Sequence, residues 1–377
     1  MATILVISFT DLKRDPRVHR QIEALRTHHS VVAAGTGDSE LPDVHFAGCE
    51  RSNRTPMRKL WEGAELLLRR YESHYWGMGH VQELQRKLEG IPFDVAIAND
   101  LEALPLALSL AGRRPVILDA HEYAPREVED RLVWRVFKQG YAQYLCEKYL
   151  QRAARIMTVA DSIAEEYRCV FGVKPIVIHN AAASHALVPR PTPMRPLRMI
   201  HHGHAMPTRQ IEKMIDVVQG LDDRFELDLM LVPTFPGYLE KLKAKAGTDR
   251  RIRFIPPVPM QELVPFSNAY DIGLYLLPPS SFNNLHALPN KFFEFLQARL
   301  AVAIGPSPEM ARIVREFGCG VVADDFAPAS LARALNQLSP TDIDRMKAGS
   351  DRAARVHTAE NNAEKLRQVV ASMLKEL

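Results

Sequence analysis

No stretch of this chain is long and apolar enough to read as a membrane span: the longest hydrophobic runs, such as Val95 to Ala98 and Leu300 to Ile304, are only strand-length. Cysteine is scarce and scattered. The four present, Cys49, Cys146, Cys169 and Cys319, contain no CxxC pair, so neither a zinc knuckle nor a disulfide framework is indicated and reduced, structural thiols are expected. A strong charge of one sign is missing as well, since the formal net charge is +3, which is too balanced to imply nucleic acid as a partner. No GxGxxG follows a candidate strand, no GxxxxGKS or GxxxxGKT occurs, and there is no GxSxG elbow. These absences argue against dinucleotide oxidoreductases, P-loop enzymes and α/β-hydrolases. The opening MATILVISF enters an apolar run directly, without a basic leader or a small-residue cleavage site, so a cytoplasmic location is expected.

What is present is the make-up of a soluble globular protein: 46% of its 377 residues are hydrophobic and 25% charged, and that length favours two domains. Apolar runs alternate with amphipathic stretches of helical length. Thr3 to Phe9, Val31 to Ala34, Asp94 to Ala98, Pro115 to Asp119, Arg155 to Val159 and Pro175 to His179 read as strands. Their apolarity is continuous, the mark of a parallel sheet covered on both faces. Helices are expected between them, at Val18 to Thr27, Leu101 to Ala111 and Ile163 to Phe171. PRPTPMRP, with Pro189, Pro191, Pro193 and Pro196, cannot be helix or central strand and reads as a linker. The same pattern then restarts with strands at Leu197 to His202, Leu227 to Val232, Ile252 to Ile255, Ile272 to Leu276, Leu300 to Ile304 and Gly320 to Val322.

The expected fold class is therefore α/β, with two doubly wound Rossmann-like domains facing across a cleft. Residues 1–190 form the first domain, 191–196 the linker and 197–355 the second. Residues 356–377 are a C-terminal helix whose apolar stripe, Ala363, Leu366, Val369, Val370, Met373 and Leu374, is expected to dock back on the first domain.

One corner concentrates several signals. His286 to Pro306 reads HALPNKFFEFLQARLAVAIGP: a Pro-Asn-Lys turn opens a helix, Glu294 lies in that helix's first turns, and an apolar strand follows. A helix N-terminus at a sheet edge offers unpaired N–H groups and a positive dipole end, where phosphates bind. An ordinary helix packing Phe292, Phe293, Leu296 and Leu300 on a sheet would carry the same pattern.

In order along the chain come Asp15, Arg17 and Val18 in the first βα loop, FDVAIAND ending at Asp100, LDAHEY ending at Tyr123, and VADSIAEEY ending at Tyr167. VIHNA, HHGHAMPTRQIEKMI, DIGLYLL and the PNKFFEF corner follow. This ordered series resembles the GT-B nucleotide-sugar glycosyltransferases, specifically the large retaining family of bacterial polysaccharide enzymes (glycosyltransferase family 4-like). The resemblance implies sugar transfer from a UDP-, GDP- or dTDP-sugar to a glycan, lipid-linked or small-molecule acceptor, with retention. No cofactor and no metal are implied, because the leaving diphosphate is met by helix N-termini and basic side chains.

The resemblance also distributes roles. Gly203 would close a strand, with Arg209 at the start of the next helix, and both would lie at the diphosphate together with Asn290 and with Lys291 in the turn before the Glu294 helix. Glu294 would accept both ribose hydroxyls, as one carboxylate can. The family pairs that Glu with another a fixed distance before it; His286 stands there instead, which leaves the donor sugar unreadable. His121 and Asp100, at the carboxyl edge of the first domain, are the catalytic candidates, His121 as a neutral imidazole that orients a donor hydroxyl or shares in proton transfer. Asp100 and Asp119 could equally be N-caps, and Arg209 and Lys291 solvated helix-start residues. His201, His202 and His204 suggest a metal, but no acidic or cysteine partner lies near them in sequence, and a place lining the cleft is expected instead.

From Arg51 to Arg70 the chain is basic and amphipathic, with Arg51, Arg54, Arg58, Lys59, Arg69 and Arg70 interleaved with Leu60, Trp61 and Leu66 to Leu68. Tyr71, Tyr75 and Trp76 follow. Such a helix suits the inner face of an anionic membrane, each basic residue contributing ~1 kcal/mol; a lid over the acceptor with a solvated basic face would look the same. Two other readings of the chain stay open: a sugar-nucleotide epimerase of the same fold, and a catalytically degenerate nucleotide-binding subunit, the latter because of His286.

Overall fold

The computed structural model describes residues 1–12, 15–37, 41, 43–50 and 55–376. The chain divides into two compact units. The first comprises Met1–His179, Ser281–Asn283 and Asn362–Leu377, and the second Asn180–Ser280 and Asn284–Asn361.

The first unit is built on a seven-stranded parallel sheet: β1 (Thr3–Asp11), β2 (Ser30–Thr36), β3 (His45–Cys49), β4 (Val95–Asn99), β5 (Val116–Ala120), β6 (Arg155–Thr158) and β7 (Ile176–Val177), in the order β3-β2-β1-β4-β5-β6-β7. Strand β1 is central because it is apolar on both faces, with Ile4, Val6, Leu5 and Ile7 all fully buried. On one face Ile4 and Val6 join Ile97, Ile117 and Met157 in a core to which the helix Ala359–Lys375 adds Leu366, Val369, Val370 and Met373. Strand β3, HFAGC, escaped the reading of the sequence. It pairs on one side only, with β2, and its alternating pattern is short and interrupted by glycine.

The second unit holds a six-stranded parallel sheet: β8 (Leu197–Ala205), β9 (Phe225–Pro233), β10 (Ile252–Ile255), β11 (Ile272–Tyr275), β12 (Ala301–Ile304) and β13 (Gly320–Val322), in the order β10-β9-β8-β11-β12-β13. The buried ion pair Lys347–Asp271, 2.6 Å, ties the helix Pro340–Val356 to the start of β11. That helix begins with a capping box in which Ser339 and Asp342 exchange side-chain-to-backbone bonds.

Local chemistry sets the helix starts that matter below. Asp15 caps the helix Pro16–Arg26, its carboxylate accepting from Arg17 N and Val18 N, while Pro16 supplies a preset φ. The expected helix from Leu101 divides into a 3₁₀ turn, Leu101–Ala103, and an α-helix, Leu104–Ala111. Pro105 explains the division, since it has no N–H to continue a helical ladder from behind. In the second unit, the helix Asn290–Gln297 buries Phe292, Phe293, Phe295 and Leu296. Gly273 in β11 permits this: any side chain there would collide with the Phe295 ring, so the helix lies directly on the strand. Among the described residues no helix is long and apolar enough to cross a membrane.

Candidate functional site

Open parallel sheets bind ligands beyond the carboxyl ends of their strands, at the point where the winding reverses. In the first sheet that point lies between β1 and β4, and in the second between β8 and β11. Both clusters of candidate residues sit there.

At the first edge, Arg17 leaves the capped turn and grips Asp119 at the end of β5 with two bonds, Nε to Oδ2 at 2.9 Å and Nη2 to Oδ1 at 2.6 Å. Its Nη1 donates to the Ile178 carbonyl at 3.0 Å, and Gln21 Nε2 donates to Asp119 at 3.1 Å. Asn99 at the end of β4 donates to Gln21 Oε1 at 2.9 Å. The Arg17–Asp119 pair is almost wholly buried, so both charges depend on each other.

His121 closes this network. Its Nδ1 lies 3.4 Å from Asp100 Oδ1, and its Nε2 lies 3.6 Å from Asp119 Oδ2 and 3.3 Å from Asn99 Oδ1. Burial disfavours charge on Asp119, but the Arg17 guanidinium and His121 outweigh it and hold the carboxyl well below its usual range. Burial likewise opposes a charged His121, yet the Asp100 and Asp119 carboxylates prevail and raise it to about 9. The expected neutral imidazole is therefore an imidazolium at neutral pH: a donor of hydrogen bonds that cannot accept a proton. Neither carboxylate is a side-chain N-cap. Asp119 belongs to β5, and Asp100, at φ +64°, stands ahead of the Leu101–Ala103 turn without its side chain capping it. Reading the sequence missed the role of Gln21. Arg17 and Gln21, four residues apart and so stacked on one buried side of the helix, carry a signal for it.

At the second edge, β8 runs past Gly203 to Ala205, two residues beyond its expected close. Gly203 adopts φ +130°, which side-chain-bearing residues avoid, and a Cβ there would come 2.9 Å from Lys291 Nζ. Lys291 belongs to the first turn of the helix rather than to the turn before it. Its ammonium donates to the His202 carbonyl at 2.8 Å, lies 3.5 Å from His201 Nε2 and sits 4.7 Å from the centre of the Tyr275 ring. Burial, reinforced by Arg209 and opposed by Glu294, lowers this lysine to about 7. Arg209 itself falls in a 3₁₀ turn, Pro207–Arg209, ahead of the helix Glu212–Gln219 that it was expected to start.

His201 and His202 are buried and neutral, and His204 is exposed. Burial and Lys291 push His202 down to about 3 and His201 well below its ordinary value. His201 Nδ1 donates to the Leu274 carbonyl at 2.9 Å. His202 Nε2 lies 3.6 Å from Glu294 Oε2, beyond hydrogen-bond reach. That nitrogen and the buried Asn290 Oδ1 have no hydrogen-bond partner among the described residues. No side chain caps the helix at Pro289. Orphaned polar atoms beside an uncapped helix start are what a polar ligand would satisfy. His286 lies half-buried in the turn after the short helix Phe282–Leu285. Among the described residues no group of three or more His, Cys, Asp or Glu side chains could hold a metal ion.

The basic stretch is two helices, Pro56–Leu67 and Tyr71–Trp76, separated at Arg69 by φ +53°. Arg51 and Arg54 lie outside the described residues. Lys59 and Trp61 are exposed, as are Arg69 and Arg70 in the break, while Arg58 pairs with Glu62 at 3.2 Å and bonds the Gly77 carbonyl. The aromatics beyond do not extend this surface. Tyr75 is fully buried and Tyr71 packs on Tyr141 and Tyr144.

Residues 15–181 match the family model of the glycosyl transferase 4-like domain. Among similar solved structures is HepE from Anabaena in complex with UDP and glucose, 14% identical, with 99% of this chain and 100% of that one covered at a TM-score of 0.68. Sucrose-phosphate synthase from Thermosynechococcus elongatus is 13% identical over 100% of both chains, with a TM-score of 0.74. A UDP-forming α,α-trehalose-phosphate synthase from Burkholderia vietnamiensis is 12% identical over 100% of both, with a TM-score of 0.71. No curated protein matches the chain in sequence. The fold is that of the GT-B class, two Rossmann-like α/β domains each built on a parallel sheet. With residues 15–181 forming a glycosyl transferase 4-like domain, the chain is a glycosyltransferase.

Proposed function

We propose that the protein transfers a sugar, with retention and without a metal, from a nucleotide-sugar donor to a glycan, lipid-linked or small-molecule acceptor. The observation that carries this reading is the cluster at the second sheet edge: a lysine ammonium held over a glycine whose φ of +130° strains any side-chain-bearing residue, beside an uncapped helix start. As the bond from the anomeric carbon to the diphosphate oxygen breaks, the leaving group carries its negative charge towards Lys291, Arg209 and the Asn290–Gln297 helix start. Glu294, in the next turn, is suited to the ribose hydroxyls. UDP is the first nucleotide to try, because HepE and the Burkholderia trehalose-phosphate synthase are described with it.

In the first unit His121, as an imidazolium, is assigned to donate a hydrogen bond to a sugar hydroxyl, with Asp100 the half-buried acceptor beside it. Thermal-shift titration with UDP, GDP, dTDP and their sugars tests the reading, since a ligand of the folded state raises the melting temperature. Stabilisation by one nucleotide family, with release of that nucleoside diphosphate once an acceptor is added, is the expected result. A full donor panel without binding or turnover would falsify it.

A further inference from the structure

The helix Pro56–Leu67 is built inside out. Its acids point inward: Glu62 and Glu65 are 8% and 7% exposed, with Glu65 accepting from the Ser73 hydroxyl at 2.8 Å and lying 3.7 Å from the buried His74. Apart from the buried Leu66, its large apolar side chains point outward, Met57 being 81% exposed, Leu60 76%, Trp61 60% and Leu67 57%. A helix that meets water on its free face has the opposite arrangement.

A second exposed apolar segment adjoins it. The helical stretch Leu132–Trp134 and Arg135–Gln139 buries no side chain and presents Leu132, Val133 and Val136, each more than half exposed. The two segments touch, for a methyl group on Gly63 would meet the Phe137 ring at 3.6 Å. Exposed cations flank this joint patch: Lys59, Arg69 and Arg70 on one side, Arg131 and Arg135 on the other. Of the nearby acids, Glu62 and Glu65 are turned inward and Glu129 is bound by Arg126 at 2.6 Å, while Asp130 is exposed beside Arg131.

We propose that these two segments form one docking surface for a bilayer rich in anionic phospholipid. Met57, Leu60, Trp61 and Val133 enter the acyl boundary, and the flanking cations meet the headgroup phosphates. Apolar centre, cationic border and inward-turned acids together match a lipid surface. A second copy of the chain would bring the same cations against themselves. The proposal goes beyond sugar transfer and stands without it.

The test is co-sedimentation of the full chain with vesicles of phosphatidylcholine alone or mixed with phosphatidylglycerol. Binding to the mixed vesicles, reduced by high salt, is expected. Leu60→Asp and Val133→Asp, on separate segments, should each weaken partitioning about tenfold or more, and paired Arg69→Glu and Arg70→Glu should abolish the preference for phosphatidylglycerol. All four positions are exposed, so an unchanged melting temperature certifies each variant as folded. Failure of the wild type to bind mixed vesicles, or wild-type binding by both aspartate variants, overturns the proposal. So does a self-association in solution that Leu60→Asp disrupts while vesicles leave it untouched, which would assign the patch to a second copy.

Discussion

At the edge of the first sheet two cations, Arg17 and His121, meet two carboxylates, Asp119 and Asp100, through hydrogen bonds from Arg17 and close charge contacts from His121. At the edge of the second, Lys291 rests on a carbonyl and an aromatic face, lowered in its proton affinity by burial and by Arg209, while neighbouring polar atoms of His202 and Asn290 lack partners among the described residues. Buried charge that is internally paired fixes a geometry, because every member loses if one moves. Buried charge left under-compensated waits for a ligand to supply the missing sign. The first edge is thus organised without a ligand, and the second has the character of a site that a ligand would complete.

The largest effect should come from breaking the closed network. Asp119→Ala leaves Arg17 buried without its counter-charge and is expected to cost about 3–5 kcal/mol, measured by urea denaturation of the first unit's transition. Equal stability of the variant and wild type would show that the edge is not held by this pair, and the contrast between the two edges would collapse.

His121→Gln comes next. If His121 donates to the sugar as proposed, its loss should lower kcat about 10²-fold with little change in donor affinity. A stability signature accompanies it. His121 is raised from 6.5 to about 9 in the folded chain, so its contribution is fully present below pH 6.5 and lost as the pH rises through about 9. Denaturation of the wild type across that window should therefore show a decline that His121→Gln flattens. A parallel pair of curves would mean that the imidazolium is not what couples Asp100 to Asp119.

Lys291→Met sharpens the comparison from the other side. Removing an ammonium that sits uncomfortably in the empty site should leave the ligand-free protein as stable as the wild type or more so, whereas donor binding should weaken by about 1.5–3 kcal/mol. Loss of stability instead would make Lys291 a structural residue like Arg17. The wild type should also bind a UDP-sugar less tightly as the pH rises above about 7, because the bound diphosphate raises a lysine that the empty site holds near that value. Calorimetry in buffers of different ionisation enthalpy would register the proton taken up.

The same contrast explains how much was legible in the sequence. Strand positions and the doubly wound pattern were readable because continuous apolar runs such as ILVI in β1 specify a sheet buried on both faces, and only the peripheral β3 was missed. The second edge was readable as well, since the glycine, lysine and Glu294 are carried by two local turns. Its fine placement was not: whether β8 ends at Gly203 or Ala205, and whether Lys291 precedes or begins its helix, depends on cross-strand pairing with β9 and on Phe295 packing over Gly273. The first edge was the hardest. Its charge state joins Arg17, Asn99, Asp119 and His121 from four separate segments, and no local pattern says that an imidazole between two carboxylates will hold its proton.

The smallest expected effect lies at Glu294. If its carboxylate accepts both ribose hydroxyls, Glu294→Gln keeps the shape and one acceptor oxygen, turns the other position into a donor and removes the charge. Donor affinity should fall by about 1–2 kcal/mol, and a 2′-deoxy donor should lose less on the variant than on the wild type. Because Glu294 also opposes the lowering of Lys291, the substitution should push the lysine lower still and move the onset of the pH-dependent weakening to more acid conditions. An unaltered pH profile alongside a lost ribose preference would separate the two roles, leaving Glu294 to the ribose alone and the ammonium to Arg209 and the helix start.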